Sequence, residues 1–414
     1  MITRVRGTED HIDLKLHDFT LDKIKQHLAT YNFHHIEVPI LEHTELFTRS
    51  IGSETDIVSK EMYVFQTASG ESICLRPEGT ASVIRAYVEN RIEQAPWKVF
   101  IHGPMFRHER PQKGRWRQFT QVSVEVINTT SIPQDAHLLK MLDSLFTDAL
   151  QLDHYVLKIN FLGCPDDRKE HKAALVQFLE GILDQICTTC QARKDKNTLR
   201  VFDCKNETCK ALYQKAPKIT DHLCKACSGE WKELQSLLNI LSVSHIIDPT
   251  LVRGLDYYNR TVFEFSSREL GAQNAFCGGG RYNLGKEVGA KEDIPCVGLA
   301  IGMGRLLMLV EKNLQKLTIP QEPPLHIIIP MTVEQRPLAL LLASQLQSHG
   351  LCTDVLLEDA SLSNMMKKAN KMGAKFALIL GSDEQQNGTV SVKNMIKGET
   401  TVYKQAELVT ALRS

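Results

Sequence analysis

The 414-residue sequence has no net charge and no long hydrophobic run. Lysine plus arginine and aspartate plus glutamate are equal, at 49 each. The whole chain therefore lacks the excess of positive charge that indicates nucleic-acid binding, although a local basic face on a neutral protein can still contact phosphates. No apolar run approaches the ~20 residues that cross a bilayer, and the N-terminal stretch has no apolar signal-peptide core. We therefore expect a cytoplasmic protein with no membrane segment.

Composition and periodicity instead indicate a soluble chain of several domains. Hydrophobic residues make up 43% and charged residues 24% of the sequence, which is typical of globular proteins. Apolar positions at helical spacing predict helices at about 14–32 and 136–150, and short alternating runs between 63 and 126 predict antiparallel strands. Helical periodicity dominates 165–247, strand patterns return at 251–265 and 296–302, and a proline-rich linker spans 318–324. Strands and helices then alternate over 325–414, which predicts a small α/β domain with mixed pairing and an α+β chain overall.

The segment Phe106–Phe119, FRHERPQKGRWRQF, is rich in arginine and lies between two predicted strands. Charged loops of this kind are usually solvated. Alternatively, several guanidinium groups converge on phosphate oxygens, which match the planar fork of arginine. Arg107 favours the second interpretation, because it precedes the turn on what should be rigid sheet.

Two further segments are unusually polar for strands. LVRGLDYYNRTVFEF contains Arg253, Asp256, Tyr257 and Tyr258 close together. Either Asp256 pairs with Arg253, or Arg253 faces the negative charge of a ligand while a tyrosine hydroxyl recognises a polar group. The segment CGGGRYN, residues 277–283, follows. Three successive glycines suit the wall of a ligand pocket, although glycine runs are more often plain turns.

A third glycine-rich segment, VGLAIGMGRLLMLV, ends in a predicted helix that begins near Arg305. Its spacing does not fit the GxGxxG pattern of dinucleotide-binding folds, and the strand–helix–strand context is absent. An arginine at the start of a helix is better placed to meet a triphosphate.

Taken together, these segments resemble the histidyl-tRNA synthetases, a family of class II aminoacyl-tRNA synthetases, over essentially the whole chain. The region around Pro39 resembles motif one, which builds a dimer interface, residues 106–125 resemble motif two, and VGLAIGMGRLLML resembles motif three. LRPEGT, LVRGLDYY and GGGRY are similar to segments that mark the histidine-specific members.

The resemblance implies an α+β fold whose catalytic domain has an antiparallel sheet of six or seven strands flanked by helices. This catalytic domain would occupy residues 1–164 and 248–317, interrupted by an inserted helical domain at 165–247. After the linker 318–324, residues 325–414 would form an α/β anticodon-binding domain. The resemblance also implies a homodimer that uses histidine, ATP with Mg²⁺, and the histidine tRNA.

It further implies a role for each site residue. Arg107 and Arg253 would be catalytic, with Arg253 at the α-phosphate, where other class II enzymes use a metal ion. The ATP-binding residues would be Arg107 (α-phosphate), Phe119 (adenine stacking), Arg253 and Arg305 (γ-phosphate). The histidine-binding residues would be Glu78, Thr80, Arg107, Gln121, Glu125, Arg253, Tyr257, Tyr258 and Tyr282. Arg110 and Gln112 on the loop would contact the acceptor end of the tRNA.

These roles are chemically coherent. Formation of an adenylate is an in-line displacement at the α-phosphorus, so positioning and charge stabilisation suffice and no protein nucleophile is required. Imidazole offers one donor and one acceptor at a fixed separation, which a carboxylate such as Glu125 and a phenol such as Tyr258 can satisfy together.

Six of the eleven cysteines lie between Cys187 and Cys227. In a reducing compartment, paired CxxC elements indicate zinc before they indicate disulfides. Our hypothesis is a structural zinc held by the outer pairs, Cys187 with Cys190 and Cys224 with Cys227. The gap between these pairs is long for a zinc ribbon, and many family members lack such cysteines, so unligated thiols remain the alternative.

Two other classes of function share this fold. A histidine-sensing regulator without catalysis typically lacks the anticodon-binding domain and the ATP-binding arginines, whereas this sequence contains residues 325–414 and Arg107, Arg253 and Arg305. A plain RNA-binding protein would not need the pocket residues. Among other class II synthetases, Glu125 and LVRGLDYY favour histidine as the amino acid.

Overall fold

The computed structural model describes residues 1–52, 55–271 and 273–413, including all their side chains except that of Lys196. The chain divides into two compact units, Met1–Ile319 and a second unit that begins at Pro320. This division falls within the proline-rich segment 318–324. Among the described residues, no helix combines the length and apolar character that crossing a membrane requires.

The first unit combines a large sheet, a small sheet and helices. Its strands are β1 His34–His35, β2 Leu41–His43, β3 Tyr63–Gln66, β4 Ser72–Leu75, β5 Trp97–Phe106, β6 Gln118–Ile127, β7 Val156–Phe161, β8 Ile246–Ile247, β9 Tyr258–Ser266, β10 Ala275–Asn283 and β11 Pro295–Gly302. Its α-helices are α1 Lys15–Thr30, α2 Thr44–Ile51, α3 Thr80–Glu89, α4 Ile132–Ser144, α5 Pro165–Glu180, α6 Thr188–Lys196, α7 Glu207–Tyr213, α8 Lys225–Ile240 and α9 Met303–Lys312.

The large sheet has eight strands in the order β1-β5-β6-β11-β10-β9-β7-β8. Every pair from β5 to β7 is antiparallel, which confirms the predicted antiparallel sheet within an α+β fold, although the two short edge strands bring the number of strands to eight instead of six or seven. Only the two-residue edge strands β1 and β8 pair in parallel. Strands β2, β4 and β3 form a separate antiparallel sheet.

Strand β6 shows how the sequence builds the two faces of this sheet. Val122, Val124 and Val126 are fully buried in the core that also contains apolar residues of α1, α4, α8 and α9. Burying a side chain of this size contributes about 1.5–3 kcal/mol. The alternating partners Ser123 and Glu125 are also buried, so the polar face predicted for this strand faces the protein interior.

The helix predicted at 136–150 begins at Ile132 in the structure, and its regular α-helical part ends at Ser144. Helix α4 starts at Ile132, because Pro133 fits the first turn of a helix, where no backbone N–H is needed. It passes into a π-helical turn at Leu145–Ala149.

Residues 165–247 form helices and short turns, apart from the edge strand β8. Their first part has its own apolar core, which includes Leu175, Leu179, Val201 and Tyr213. Helix α8 packs differently, since Trp231, Leu234 and Leu238 belong to the core of the large sheet. The insertion is thus attached to the sheet by its last helix.

The second unit has one mixed sheet with helices. Its strands are β12 His326–Pro330, β13 Thr353–Val355, β14 Phe376–Leu380, β15 Thr389–Asn394 and β16 Thr400–Lys404, and its α-helices are α10 Arg336–Ser348, α11 Leu362–Lys371, α12 Ser382–Asn387 and α13 Leu408–Arg413. The sheet order is β13-β12-β14-β15-β16. Strand β12 pairs in parallel with both β13 and β14, whereas the pairs β14–β15 and β15–β16 are antiparallel. The mixed pairing predicted for this region is confirmed.

Candidate functional site

A cleft of about 330 Å³ in the first unit collects most of the predicted site residues. This volume lies at the lower end of the ~300–1,000 Å³ found for small-molecule sites. The predicted residues that line it come from distant parts of the chain and are Glu78, Thr80, Arg107, Phe119, Gln121, Arg253, Tyr257, Tyr258 and Arg305. Arginines from three separate segments therefore meet at one cavity.

Arg107 follows β5 and is held by two contacts. Its Nε donates a 2.9 Å hydrogen bond to the carbonyl oxygen of Pro77, and its guanidinium carbon lies 5.3 Å from the centre of the Phe119 ring. This cation–π geometry places an aromatic face and a positive charge side by side. Such a pair suits a nucleotide, because the aromatic face can stack on the base while the positive charge binds a phosphate.

Arg253 reaches the cleft from the segment that precedes β9. Its Nη1 donates a 2.8 Å hydrogen bond to Glu264 Oε2, and its buried Nε has no hydrogen-bond partner among the described residues. A Cβ at Gly278 would lie 2.4 Å from the guanidinium. The glycine run on β10 therefore leaves space for this arginine, which resolves the choice between a pocket wall and a plain turn.

Asp256, which the sequence offers as an ion-pair partner for Arg253, binds other residues instead. Asp256 accepts hydrogen bonds from Asn197 Nδ2 at 3.1 Å and from Arg200 Nη2 at 3.3 Å. These partners belong to the insertion, so Asp256 connects the loop 252–257, most of which lines the cleft, to the inserted helices.

Arg305 lies in the first turn of α9 and binds two backbone carbonyl groups, those of Gly114 at 2.8 Å and Ala275 at 2.6 Å. Burial lowers the pKa of Arg305, and the neighbouring charges of Arg115 and Arg107 lower it further, while Glu109 and Glu264 act in the opposite direction. Converging guanidinium groups repel one another unless an anion lies between them. The electrostatics of this part of the cleft suit a polyphosphate.

Glu125 is fully buried beside the cleft, on β6. Its Oε1 accepts a 2.7 Å hydrogen bond from Thr80 Oγ1, and its Oε2 accepts a 2.5 Å bond from the Tyr282 hydroxyl. Burial raises its pKa to about 8, although both hydroxyl groups act in the opposite direction. A Cβ at Gly298 on β11 would lie 1.7 Å from Oε2, so the carboxyl group occupies the space that any side chain at 298 would need.

Glu78 binds the start of α3. Its two carboxylate oxygens accept hydrogen bonds from the backbone N–H groups of Thr80, at 2.7 Å, and Ala81, at 2.9 Å. Carboxylates at this end of a helix are favoured because the N–H groups there lack partners within the helix. Burial raises the pKa of Glu78, and these hydrogen bonds and Arg107 lower it. The residue therefore positions α3 as well as lining the cleft.

Tyr257 and Tyr258 line the cleft, and the buried Tyr282 packs against them. The Tyr257 ring lies 4.7 Å from that of Tyr258 and 5.3 Å from that of Tyr282. Burial raises the pKa of Tyr258 to about 12, so the phenol stays protonated and can donate. Nearby, the buried Gln121 Oε1 has no hydrogen-bond partner among the described residues and is available to a ligand.

Arg110 and Gln112 do not reach this cleft. Both are exposed on the loop between β5 and β6, and Gln112 pairs through its backbone with Arg115. The loop thus presents them on the surface of the first unit.

Arg115, Glu109 and Glu264 also line the cleft, although the sequence motifs predict no role for them. Arg115 pairs with Glu109 at 2.9 Å, and Glu264 pairs with Arg253. The arginine-rich loop was a sufficient signal for Arg115. Glu264 could have been suspected because it is the charged residue within the apolar segment TVFEF.

The predicted zinc set is wrong in its composition, because the two outer CxxC pairs do not form one group. In each of two separate groups the ligand atoms lie within 4.8 Å of one another, and the groups are Cys187, Cys190, Cys204 and Cys209, and Cys164, Asp167, Cys224 and Cys227. The residues between the outer pairs fold into α6, a 3₁₀ turn and α7, which return the inner cysteines to the first pair. Helix α8 instead begins next to the start of α5, where Asp167 accepts the Cys224 backbone N–H at 2.9 Å.

Comparison with known proteins agrees with this arrangement. A family model described as histidyl-tRNA synthetase matches residues 18–306, and a model described as anticodon binding domain matches residues 326–414. The histidine–tRNA ligase of Halothermothrix orenii is 41% identical over 99% of this chain and 98% of its own. The chain belongs to the histidyl-tRNA synthetase family.

Other histidyl-tRNA synthetases support the same placement. The histidine–tRNA ligase of Clostridioides difficile is 38% identical over 100% of this chain and 99% of its own. The crystal structure of the apo histidyl-tRNA synthetase from S. aureus is similar over the full length of both chains, with 32% identity and a TM-score of 0.82. Both units of the fold therefore have counterparts in a solved member of the family.

Proposed function

We propose that this chain is a histidine–tRNA ligase, which activates histidine with ATP and then transfers it to the 3′ end of the histidine tRNA. The observation that carries the proposal is the meeting of Arg107, Arg253 and Arg305 at one cleft, beside the buried Glu125. Three positive charges suit a triphosphate, and the adjoining polar groups suit an imidazole.

In the first step, a carboxylate oxygen of histidine attacks the α-phosphorus of ATP and pyrophosphate leaves. Arg107 and Arg253 stabilise the charge that develops on the α-phosphate oxygens, and Arg305 binds the γ-phosphate. Phe119 stacks on the adenine ring. Mg²⁺ arrives with ATP as part of the substrate, and the cleft offers the carboxylates of Glu109 and Glu264, the oxygen ligands that this ion prefers.

The histidine side chain is recognised by complementary hydrogen bonding. The Tyr258 hydroxyl donates to one imidazole nitrogen, and the carboxyl group of Glu125, supported by Tyr282, binds the other. Gln121 supplies an acceptor that no group among the described residues uses. Tyr257 packs against the rings of Tyr258 and Tyr282. An amino acid without both imidazole nitrogens would leave buried polar groups unpaired, which such sites reject strongly.

The α-amino group of histidine is cationic and needs an anionic partner. Glu78 lines the cleft with Thr80, and its oxygens retain acceptor capacity beyond the two backbone N–H groups they bind. We assign both residues to the α-amino group. Arg107 completes the site at the histidine carboxylate.

In the second step, a hydroxyl group at the 3′ end of the tRNA attacks the carbonyl carbon of the adenylate and AMP leaves. Arg110 and Gln112 are exposed on their loop and have the side chains that pair with base edges. Residues 325–414 would contact the anticodon. We propose a cytoplasmic homodimer whose interface includes the region around Pro39, as the similarity to motif one implies.

The decisive experiment is ATP–pyrophosphate exchange with each of the twenty amino acids in turn. We expect exchange with histidine only. Exchange that requires another amino acid would overturn the assignment. Binding of histidine without any exchange would instead favour a histidine-sensing regulator, for which the three arginines in the cleft would have no use.

A further inference from the structure

Four cysteine side chains of the insertion converge on one point. The sulfur atoms of Cys187, Cys190, Cys204 and Cys209 all lie within 4.8 Å of one another, and the Cys187 and Cys204 sulfurs are 3.8 Å apart. A tetrahedral zinc ion with Zn–S bonds of ~2.3 Å places its sulfurs ~3.8 Å apart. All four cysteines are free thiols. Their sulfur atoms are therefore available as ligands, and their separations suit a single metal ion.

The local structure presents these sulfurs as ligands. Cys187 precedes α6 and Cys190 lies in its first turn, while Cys204 follows the 3₁₀ turn Thr198–Asp203 and Cys209 lies in the first turn of α7. Two sulfurs accept backbone hydrogen bonds, Cys209 from the Cys187 N–H at 3.3 Å and Cys204 from the Asn206 N–H at 3.4 Å. Such second contacts orient metal ligands.

The other group of potential ligands is less suited to a metal. Both oxygens of Asp167 already accept backbone N–H groups, that of Cys164 at 3.0 Å and that of Cys224 at 2.9 Å. Asp167 therefore fixes the starts of α5 and α8 without an ion. Cys224 is also exposed. This group serves below as the competing site.

We propose that Cys187, Cys190, Cys204 and Cys209 bind one Zn²⁺ through four thiolates, and that this ion fixes the intervening segment against the loop 252–257. Each half of the proposal has its own test. Neither test uses the aminoacylation reaction, so the failure of one is distinguishable from failure of the proposed function.

The link to the active site runs through the residues between Cys190 and Cys204. Asn197 and Arg200 bind Asp256, and Arg200 Nη2 also donates a 2.6 Å hydrogen bond to the carbonyl oxygen of Gly254. Asp203, next to Cys204, lines the cleft. A metal ion that holds both ends of this segment restrains the loop that carries Arg253 and Tyr257.

The first test is metal analysis of the full-length protein, purified without chelator from cells supplied with zinc, together with X-ray absorption at the zinc edge. We expect one zinc per chain in a shell of four sulfurs at ~2.3 Å. Cys204→Ser should lose this ion, whereas Cys352→Ser, which changes an exposed cysteine of the second unit, should retain it. Two ions per chain, of which Cys204→Ser removes one, would also support the proposal.

Three results would overturn the site. They are well under one zinc per chain in the unaltered protein, a full complement in Cys204→Ser, and a shell of three sulfurs and one oxygen, which would assign the metal to the group that contains Asp167. The shell is measured on the unaltered protein, so it decides the question even if Cys204→Ser fails to fold.

The second test is hydrogen exchange before and after removal of zinc with a chelator. We expect the amides of 188–213 and 253–257 to exchange roughly tenfold faster without the metal, and to regain protection when Zn²⁺ is added back. Helix α9, which packs in the core of the large sheet and not in the core of the insertion, serves as the internal reference. Unchanged protection of 253–257 would remove the proposed support of the loop 252–257.

Discussion

Arg253 Nη1 donates a 2.8 Å hydrogen bond to Glu264 Oε2 on β9. The bond holds one edge of the guanidinium group, while the buried Nε has no hydrogen-bond partner within the described parts of the chain. An arginine fixed in this way retains donors for a ligand and costs little reorganisation when a phosphate arrives.

We therefore predict that Arg253→Ala lowers histidine-dependent ATP–pyrophosphate exchange by roughly 10²–10³-fold or more, the effect of losing a preorganised charge at the transition state. The matched control is Arg260→Ala, which breaks a similar 2.7 Å pair with Glu230 that does not line the cleft. Its exchange should stay near that of the unaltered protein. Near-normal exchange by Arg253→Ala, with the fold intact by circular dichroism, would remove its catalytic role.

Gly278→Ala should impair activity through Arg253. The added Cβ would lie 2.4 Å from the guanidinium, so the arginine must move away from its bond with Glu264. We expect at least a roughly tenfold loss of exchange, equivalent to about 1.4 kcal/mol of transition-state stabilisation, with kcat affected more than the KM for histidine. Gly229→Ala on α8 should leave the kinetics unchanged, because an added Cβ would meet nothing within 4 Å among the described residues beyond its chain neighbours and its own helix backbone. Equal kinetics for the two variants would contradict this packing argument.

The buried Glu125 predicts a pH-dependent difference in stability. Burial raises its pKa to about 8, so the folded protein holds a proton that the unfolded chain releases near pH 4.5. Between these two pH values the group therefore makes folding less favourable as pH rises. Glu125→Gln removes this titration, and its stability relative to the unaltered protein should increase by up to about 1.4 kcal/mol per pH unit, levelling off above about pH 8.

Urea unfolding of the first unit at several pH values measures this difference. Glu93→Gln, at an exposed position, supplies the comparison and should show little change with pH. A difference between Glu125→Gln and the unaltered protein that stays constant from pH 5.5 to 8 would show that Glu125 is ionised throughout.

Arg281, the arginine of GGGRY, is buried and is not among the residues that line the cleft. Arg281 and Asp135 are 3% and 0% exposed and form an ion pair at 2.7 Å. Arg281→Met leaves the carboxylate buried and unpaired, so we expect a loss of about 3–5 kcal/mol in urea unfolding. Lys286→Ala, which breaks an exposed pair with Asp293, should cost at most about 1 kcal/mol. Similar losses for Arg281→Met and Lys286→Ala would contradict the importance of burial here.

Much of this structure follows from local sequence. The valines of β6 predict a strand with one face in the core, and the helical spacing before Leu28 predicts α1, whose bounds Lys15–Thr30 differ from the expectation by one or two residues. The motif resemblance predicts that Arg107, Arg253 and Arg305 lie together, since the order of the motifs fixes the topology. Their common position in the cleft confirms that geometric expectation.

Other features depend on contacts that spacing along the chain does not reveal. Asp256 binds Asn197 and Arg200 of the insertion instead of the nearby Arg253. Identical CxxC spacing predicts that the two outer cysteine pairs meet, whereas the turns between Cys190 and Cys204 bring Cys204 and Cys209 to the first pair. In both cases long-range folding outweighs a local pattern.

The contact between Glu125 on β6 and Gly298 on β11 has a consequence for redesign. Because the carboxyl group fills the volume above residue 298, shortening it to alanine would open a void that a methyl or larger group at 298 could fill from the opposite strand. Attempts to make the enzyme accept a different amino acid should therefore vary the two positions together. A side chain added at 298 alone would clash with Glu125, and shortening Glu125 alone would leave a cavity.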